Sequence, residues 1–264
     1  MDIVFERRSS ASARWSWRFA AFSAALLLTA TAGHRFGAVE TIPFFWLLGL
    51  IAALAVLALL LAVVGFVQLW RNGDKGGRAS TRATFLAVLV LLPFGYAGFL
   101  GYTLPRLTQV STDTDRQPQF LMAPLVRRPD MNPILPMTPQ QAALQAAAYP
   151  AVTGRRYTQP VDRLDEIIGA VLAQLGWTVV YHIAPQAETI ENEMEVVALS
   201  PVVGFVSDVV IRITEEDETS YVDMRSVSRY GIHDVGDNAA KAIRFFAALD
   251  AEVALRNTPI NVEN

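Results

Sequence analysis

Two uncharged apolar runs limit what this chain can become more than any other feature. "FFWLLGLIAALAVLALLLAVVGFVQLW" and "ATFLAVLVLLPFGYAGFLGY" contain no Asp, Glu, Lys or Arg. Each is at least as long as the roughly 20 apolar residues needed to cross a bilayer core. They predict spans over Phe44 to Leu69, bordered by Trp46 and Trp70 as interfacial anchors, and over Ala83 to Tyr102. The loop between them, "RNGDKGGRASTR", sets Arg71, Lys75, Arg78 and Arg82 against one Asp74, which assigns it to the cytoplasm and makes the second span lead outward.

A shorter run, Phe19 to Gly33, follows Arg7, Arg8, Arg14 and Arg18 and ends in "ATA". It reads as a cleaved signal peptide or, preferably, as a retained helix anchored by Trp15 and Trp17, with His34 and Arg35 snorkelling at the far end. About three spans (17–36, 43–70 and 82–103) then make a transmembrane section over 1–104. Either reading puts everything after Tyr102 outside the cytoplasm, as the periplasmic domain of a multi-pass protein of the cell inner membrane. The strong spans hold no ionisable group for a transported charge, which disfavours a transporter. Pro93 should kink its helix, while Gly95, Ala97, Gly98 and Gly101 offer a small-residue surface for oligomerisation or for packing among the chain's own helices.

The 52 per cent apolar content is concentrated before Tyr102, and the net charge of −3 hides a basic first section and an acidic remainder. Nucleic acid is therefore not an expected partner. Cysteine is absent, which excludes disulfides, thiol catalysis and cysteine-bound metals. Seven prolines between Pro105 and Pro139 predict an extended linker over 105–139, in which "STDTDRQPQF" is either a binding segment or an ordinary loop.

The remainder, 140–264, reads as one α+β domain: an antiparallel sheet with flanking helices. A short helix is expected in "PQQAALQAAAY", and Val161 to Leu175 repeats apolar residues at helical spacing between Pro160 and Gly176. Strand-like runs follow at Trp177 to Ile183, Glu195 to Leu199, Phe205 to Ile213 and Ser220 to Ser228, the last two joined by the acidic turn "TEEDET". A final helix over Asp237 to Arg256 should turn Ala239, Ile243, Phe246, Leu249 and Val253 inward.

Strand alternation puts Asp208 and Arg212 on one face of the third run, and Tyr221, Asp223, Arg225, Val227 and Arg229 on one face of the fourth. As a hairpin, they form a charged strand pair, Asp208, Arg212 and Asp223, beside Arg225. The chain then enters the last helix through Asp234, Gly236, Asp237 and Asn238, where Asp or Asn can cap free amides. A helix start near Arg225 and Arg229, with Ser226 and Ser228 beside them, is a candidate site for a small anion, with Asp234 and Asn238 completing it. The competing account makes these arginines partners of the turn aspartates, fixing the helix to the sheet.

The segments "SDVVIRI", "VDMRSVSRYGIHDVGDN" and "AAKAIRFFAAL" resemble the uncharacterised bacterial domain family known as domain of unknown function fourteen-ninety-nine, over roughly Thr108 to Leu255. The resemblance implies no known activity.

Enzyme signatures are absent. His34, His182 and His233 stand in no metal-ligand spacing, and there is no nucleophile elbow, P-loop or dinucleotide fingerprint. Ser228, His233 and Asp234 are a weak triad candidate, because triads are defined in space. Asp208 and Asp223 could act as acid and base only if they shared a cavity. No cofactor or metal is expected. The leading expectation is a membrane-anchored, non-enzymatic envelope module that binds an envelope protein or a small anionic ligand, with the lipid bilayer as its other partner. The alternatives are a hydrolase-type enzyme on envelope substrates, using Asp208, Asp223 or His233, and a purely structural membrane component.

Overall fold

The computed structural model describes residues 8–183 and 191–257. Arg7 of the basic N-terminus and the last seven residues of the expected 140–264 domain lie outside the described residues. The chain divides into two compact units, Met1–Phe99 with Val202–Gly204, and Leu100–Pro201 with Phe205–Asn264.

The first unit is helical. Helix α1 (Ala11–Arg35) starts at Ser10, whose hydroxyl accepts the amide of Ala13 at 3.1 Å. Helix α2 (Thr41–Asn72) stops at Gly73, whose φ of 69° is the left-handed stop that glycine reaches without steric cost. Helix α3 (Gly77–Thr103) runs through Pro93 without ending. Small residues, Ala13 and Ala20 of α1 and Ala55, Ala58, Ala62 and Gly65 of α2, are buried where backbones approach closely. Gly65 is required there, since a Cβ would lie 2.6 Å from the Ser80 hydroxyl. A Cβ built at Gly95, Gly98 or Gly101 would meet no atom within 4 Å beyond the local helix backbone; α3 instead buries Ser80, Ala83, Ala87 and Val90.

Among the described residues two helices, α2 and α3, are long and apolar enough to cross a membrane, which corrects the expectation of about three. The physical reason is the composition of α1. Its apolar run of Phe19 to Gly33 would rise only about 22 Å, against a hydrocarbon core of roughly 30 Å, and Arg14 and Arg18 occupy its first turns.

The second unit contains β1 (Gln109–Ser111), α4 (Ala123–Val126), α5 (Pro139–Ala148), β2 (Arg155–Tyr157), α6 (Val161–Leu175), β3 (Thr178–His182), β4 (Glu191–Leu199), β5 (Val206–Glu216), β6 (Thr219–Ser228) and α7 (Asp237–Asn257). Thr138 and Gln141 form a capping box at α5. The sheet runs β1-β6-β5-β4-β3, with β2 also on β6, and every pairing is antiparallel. The β5–β6 hairpin extends past the expected strand ends to Glu216 opposite Thr219, and Asp217 takes a φ of 49° in its turn.

One sheet face carries Met194, Val196, Val209, Ile211, Ile213, Val222 and Met224 into a core with Leu164, Ile167, Ile168, Val171 and Leu172 of α6. From α7 come Ala239, Ala242, Phe245, Phe246, Leu249 and Val253. Ile243, expected inward, is 43 per cent exposed. The face rotates onto the neighbouring Ala242 and Phe245, which stack Phe245 on Trp177 at 6.1 Å. The opposite face is also covered. Phe120, Ala123 and Ile134, from the proline-rich stretch, pack on Val210 and Val227. That stretch holds β1 and the single turn of α4 but otherwise no helix or strand, and it lies along the sheet as a strap.

Candidate functional site

The charged strand pair lies beneath this strap. Pleating turns Glu195 of β4, Asp208, Val210 and Arg212 of β5, and Asp223, Arg225 and Val227 of β6 to the same side. The register places Arg212 opposite Asp223, Val210 opposite Arg225 and Asp208 opposite Val227. Glu195, Asp208, Arg212 and Arg225 reach across to the strap, and Asp223 pairs with Arg212 within the sheet.

The Glu195 carboxylate accepts the amides of Leu121, Met122 and Ala123, the last two at 2.7 and 2.8 Å, and so anchors the start of α4. Asp208 accepts Arg127 Nε at 2.8 Å from the strap and Arg229 Nη2 at 2.7 Å from the strand end. Arg127 also donates to the Val227 carbonyl at 2.9 Å. Asn132 donates its side-chain amide to the Gly231 carbonyl at 2.8 Å and its backbone amide to Arg229 at 2.7 Å.

Arg225 is the largest fully buried side chain, 1 per cent exposed. Among the described residues it has no carboxylate partner. Its guanidinium donates to Gln109 Oε1 at 2.7 Å and to the carbonyls of Leu135 and Pro118 at 2.6 and 3.3 Å, with the Phe120 ring 5.6 Å away. Burial, with Arg127 nearby as a second positive charge, pushes its pKa down to about 10. Three separate points of the strap and β1 thus converge on one side chain.

Arg212 donates to Asp223 Oδ2 at 2.9 and 3.1 Å and to the Arg116 carbonyl at 2.7 Å. Asp223 is fully buried, and its other oxygen has no hydrogen-bond partner. Burial raises its pKa to about 6, against the opposing pull of Arg212. A carboxyl whose native pKa lies above its unfolded value holds its proton better when folded, so stability falls as pH rises through about 6. Unfolding measured between pH 7.5 and 4.5 should therefore show a gain in acid of about 2 kcal/mol from this group, which Asp223→Asn removes. An unchanged slope in that variant would count against the assignment. Burial raises Glu193 and Asp234 in the same sense.

The other candidate residues sit on the opposite side of β6. Ser226 Oγ donates to Asn238 Oδ1 at 2.7 Å, and Asn238 Nδ2 donates to Ser228 Oγ at 2.9 Å and the Thr108 carbonyl at 3.0 Å. Asp234 accepts the amides of Gly236 and Asn238 at 3.0 and 3.1 Å and so caps α7. Lys241, buried on α7, donates to Ser207 Oγ and pairs with Asp237. The six residues of the expected anion site therefore divide across the strand, Arg225 and Arg229 under the strap, Ser226 and Ser228 with Asp234 and Asn238 at the helix start. The arginines do not pair with the turn aspartates: Arg229 takes Asp208, and Arg225 takes neutral oxygens.

Catalytic geometries do not form from these side chains. Asp208 and Asp223 are four β5 register positions apart, about 13 Å, each in its own ion pair. His233 Nδ1 accepts the Val235 amide at 3.0 Å, and Ser228 Oγ is taken by Asn238. Among the described residues no group of three His, Asp or Glu side chains is placed to hold a metal ion. His182, on the sheet-edge strand β3, pairs with Asp165 at 2.8 Å.

Sequence reasoning missed Gln109, Arg127, Asn132 and Glu195. The available signal was Arg127 itself, a cation amid prolines, ahead of a sheet face to which alternation had already assigned Asp208 and Asp223.

Comparison with protein-family models matches residues 109–249, just over half of the chain, to a family described as a protein of unknown function, DUF1499. The match begins at β1 and takes in the strap, the sheet and most of α7. No curated protein matches.

Proposed function

Since the chain belongs to the DUF1499 family, we propose that it is a multi-pass protein of the bacterial inner membrane whose family domain is a non-catalytic interaction module held outside the cytoplasm. One observation carries the membrane part. Helix α2 is free of ionisable groups from Ile42 to Trp70 and presents Trp46, Leu60, Val63 and Trp70 outward, an apolar surface that water would penalise and lipid would accept. The basic loop before α3 supports the orientation.

Within the module the buried charges serve cohesion. Removing them from water is costly, and each is matched by a strap or strand partner, a use consistent with specifying one arrangement of the strap. A partner is left the surfaces that this network supports, chiefly the signature loop between β6 and α7.

Because the chain has no cysteine, single-cysteine variants test the topology. Leu144→Cys should react with a membrane-impermeant maleimide in intact spheroplasts, and Asp74→Cys only after the membrane is permeabilised. The opposite pattern overturns the orientation, and reaction of both in intact spheroplasts overturns the multi-pass anchor.

A further inference from the structure

We propose that the signature loop, with Tyr102 and Arg106, is a contact surface for anionic phospholipid headgroups of the bilayer that holds α3, an inference that rests on the membrane-anchored reading above. The loop runs from Tyr230 to Val235 and carries Ile232, 82 per cent exposed between Gly231 and His233. An aliphatic side chain held that far into solvent loses the hydrophobic stabilisation that burial would provide.

The loop is tied to the end of α3. His233 Nδ1 accepts an amide, so its Nε2 carries the proton and donates to the Leu104 carbonyl at 3.3 Å. The Asp234 amide donates to the Leu107 carbonyl at 2.9 Å. Leu104 is the first residue after α3. Gly236, with a φ of 84°, lets the loop approach it, since a Cβ there would lie 3.0 Å from Leu104 Cδ1. Val235 holds a φ of 48°, which is strained for a β-branched side chain. The loop is therefore fixed in place at the point where a spanning helix would emerge.

The residues around that point have interfacial chemistry. Tyr102 is 91 per cent exposed, and Arg106 is exposed with no ion-pair partner among the described residues. An aromatic ring and an aliphatic side chain suit the glycerol and upper acyl region, while a guanidinium suits the phosphate above it in bidentate geometry. Such a cation near an anionic leaflet shifts binding by about fivefold.

The test uses the full chain in nanodiscs, with a nitroxide on single cysteines at Ile232, at Leu60 of α2 and at Val180 of β3, and compares collision with oxygen and with a water-soluble nickel chelate. The Ile232→Cys label should resemble the Leu60→Cys label in favouring oxygen, while Val180→Cys favours nickel. Adding phosphatidylglycerol to phosphatidylcholine should shift the Ile232→Cys label toward lipid by about fivefold, and Arg106→Gln should remove that shift. If Leu60→Cys is in lipid and Ile232→Cys behaves like Val180→Cys, the surface is overturned while the anchor stands. If Leu60→Cys favours nickel, both fall. If phosphatidylglycerol changes nothing, the headgroup assignment is overturned.

Discussion

Arg225→Ala should lower the thermal midpoint of the full chain by roughly 10 °C, from a loss of about 3–5 kcal/mol at a domain size where each kcal/mol shifts the midpoint by roughly 2–4 °C. The guanidinium is sealed between sheet and strap, and its removal leaves Gln109 Oε1 and the carbonyls of Leu135 and Pro118 without their donor. Buried acceptors stripped of partners each cost about 1–3 kcal/mol, and the cavity beside Phe120 adds to this. Arg225→Lys should recover only part of the loss, because one ammonium cannot serve three oxygens set around a planar fork. Calorimetry decides. A midpoint within about 2 °C of wild type for Arg225→Ala would contradict the assignment of this side chain as the central tie of the strap.

Asp208→Ala should have an effect of similar size for a different reason. It leaves Arg127 and Arg229 facing one another with no carboxylate between them, and breaking a buried pair by deleting one partner costs about 3–5 kcal/mol. Arg127→Ala alone should cost less, since Asp208 keeps Arg229. The combination Asp208→Ala with Arg127→Ala should cost less than the two single losses added together. The strap should also loosen, so trypsin cleavage after Arg127 should accelerate by more than tenfold in Asp208→Ala. Additive costs in the double variant, or unchanged cleavage, would show that the pair does not hold the strap.

Periodicity made much of this legible. The α6 boundaries follow from Pro160, the apolar stripe and Gly176. Alternation placed Asp208, Arg212, Asp223 and Arg225 on one face because pleating has a fixed period. It could not say whether that face meets water. The answer depended on the proline-rich stretch, which has no period to read and whose pairing with β6 runs through three residues, Gln109, Val110 and Ser111. Ile243 was misplaced for a related reason: adjacent Phe245 and Phe246 allow two helical phases, and packing against Trp177 selects between them. Helix α1 was judged by its aromatic and basic flanks, although its short apolar run decides its reach. The division of the signature across the two faces of β6 was implicit in the alternation of Arg225, Ser226, Ser228 and Arg229, but their closeness in sequence suggested a single site.

The strap also imposes an order on folding. Residues 109–138 are made before the strands that they cover, and their partners Asp208, Arg225 and Arg229 lie up to about a hundred positions later in the chain. Contacts of such sequence separation form slowly, because a long loop must close before any of them is gained. Until β6 emerges, the strap has no surface to lie on, and its apolar Phe120, Ala123 and Ile134 have nothing to pack against. A chain cut before Arg225 would carry the strap, most of the sheet and a row of buried-type charges with no cover. Such a chain leaves these groups open to proteolysis, so the strap closes only once β6 has been made.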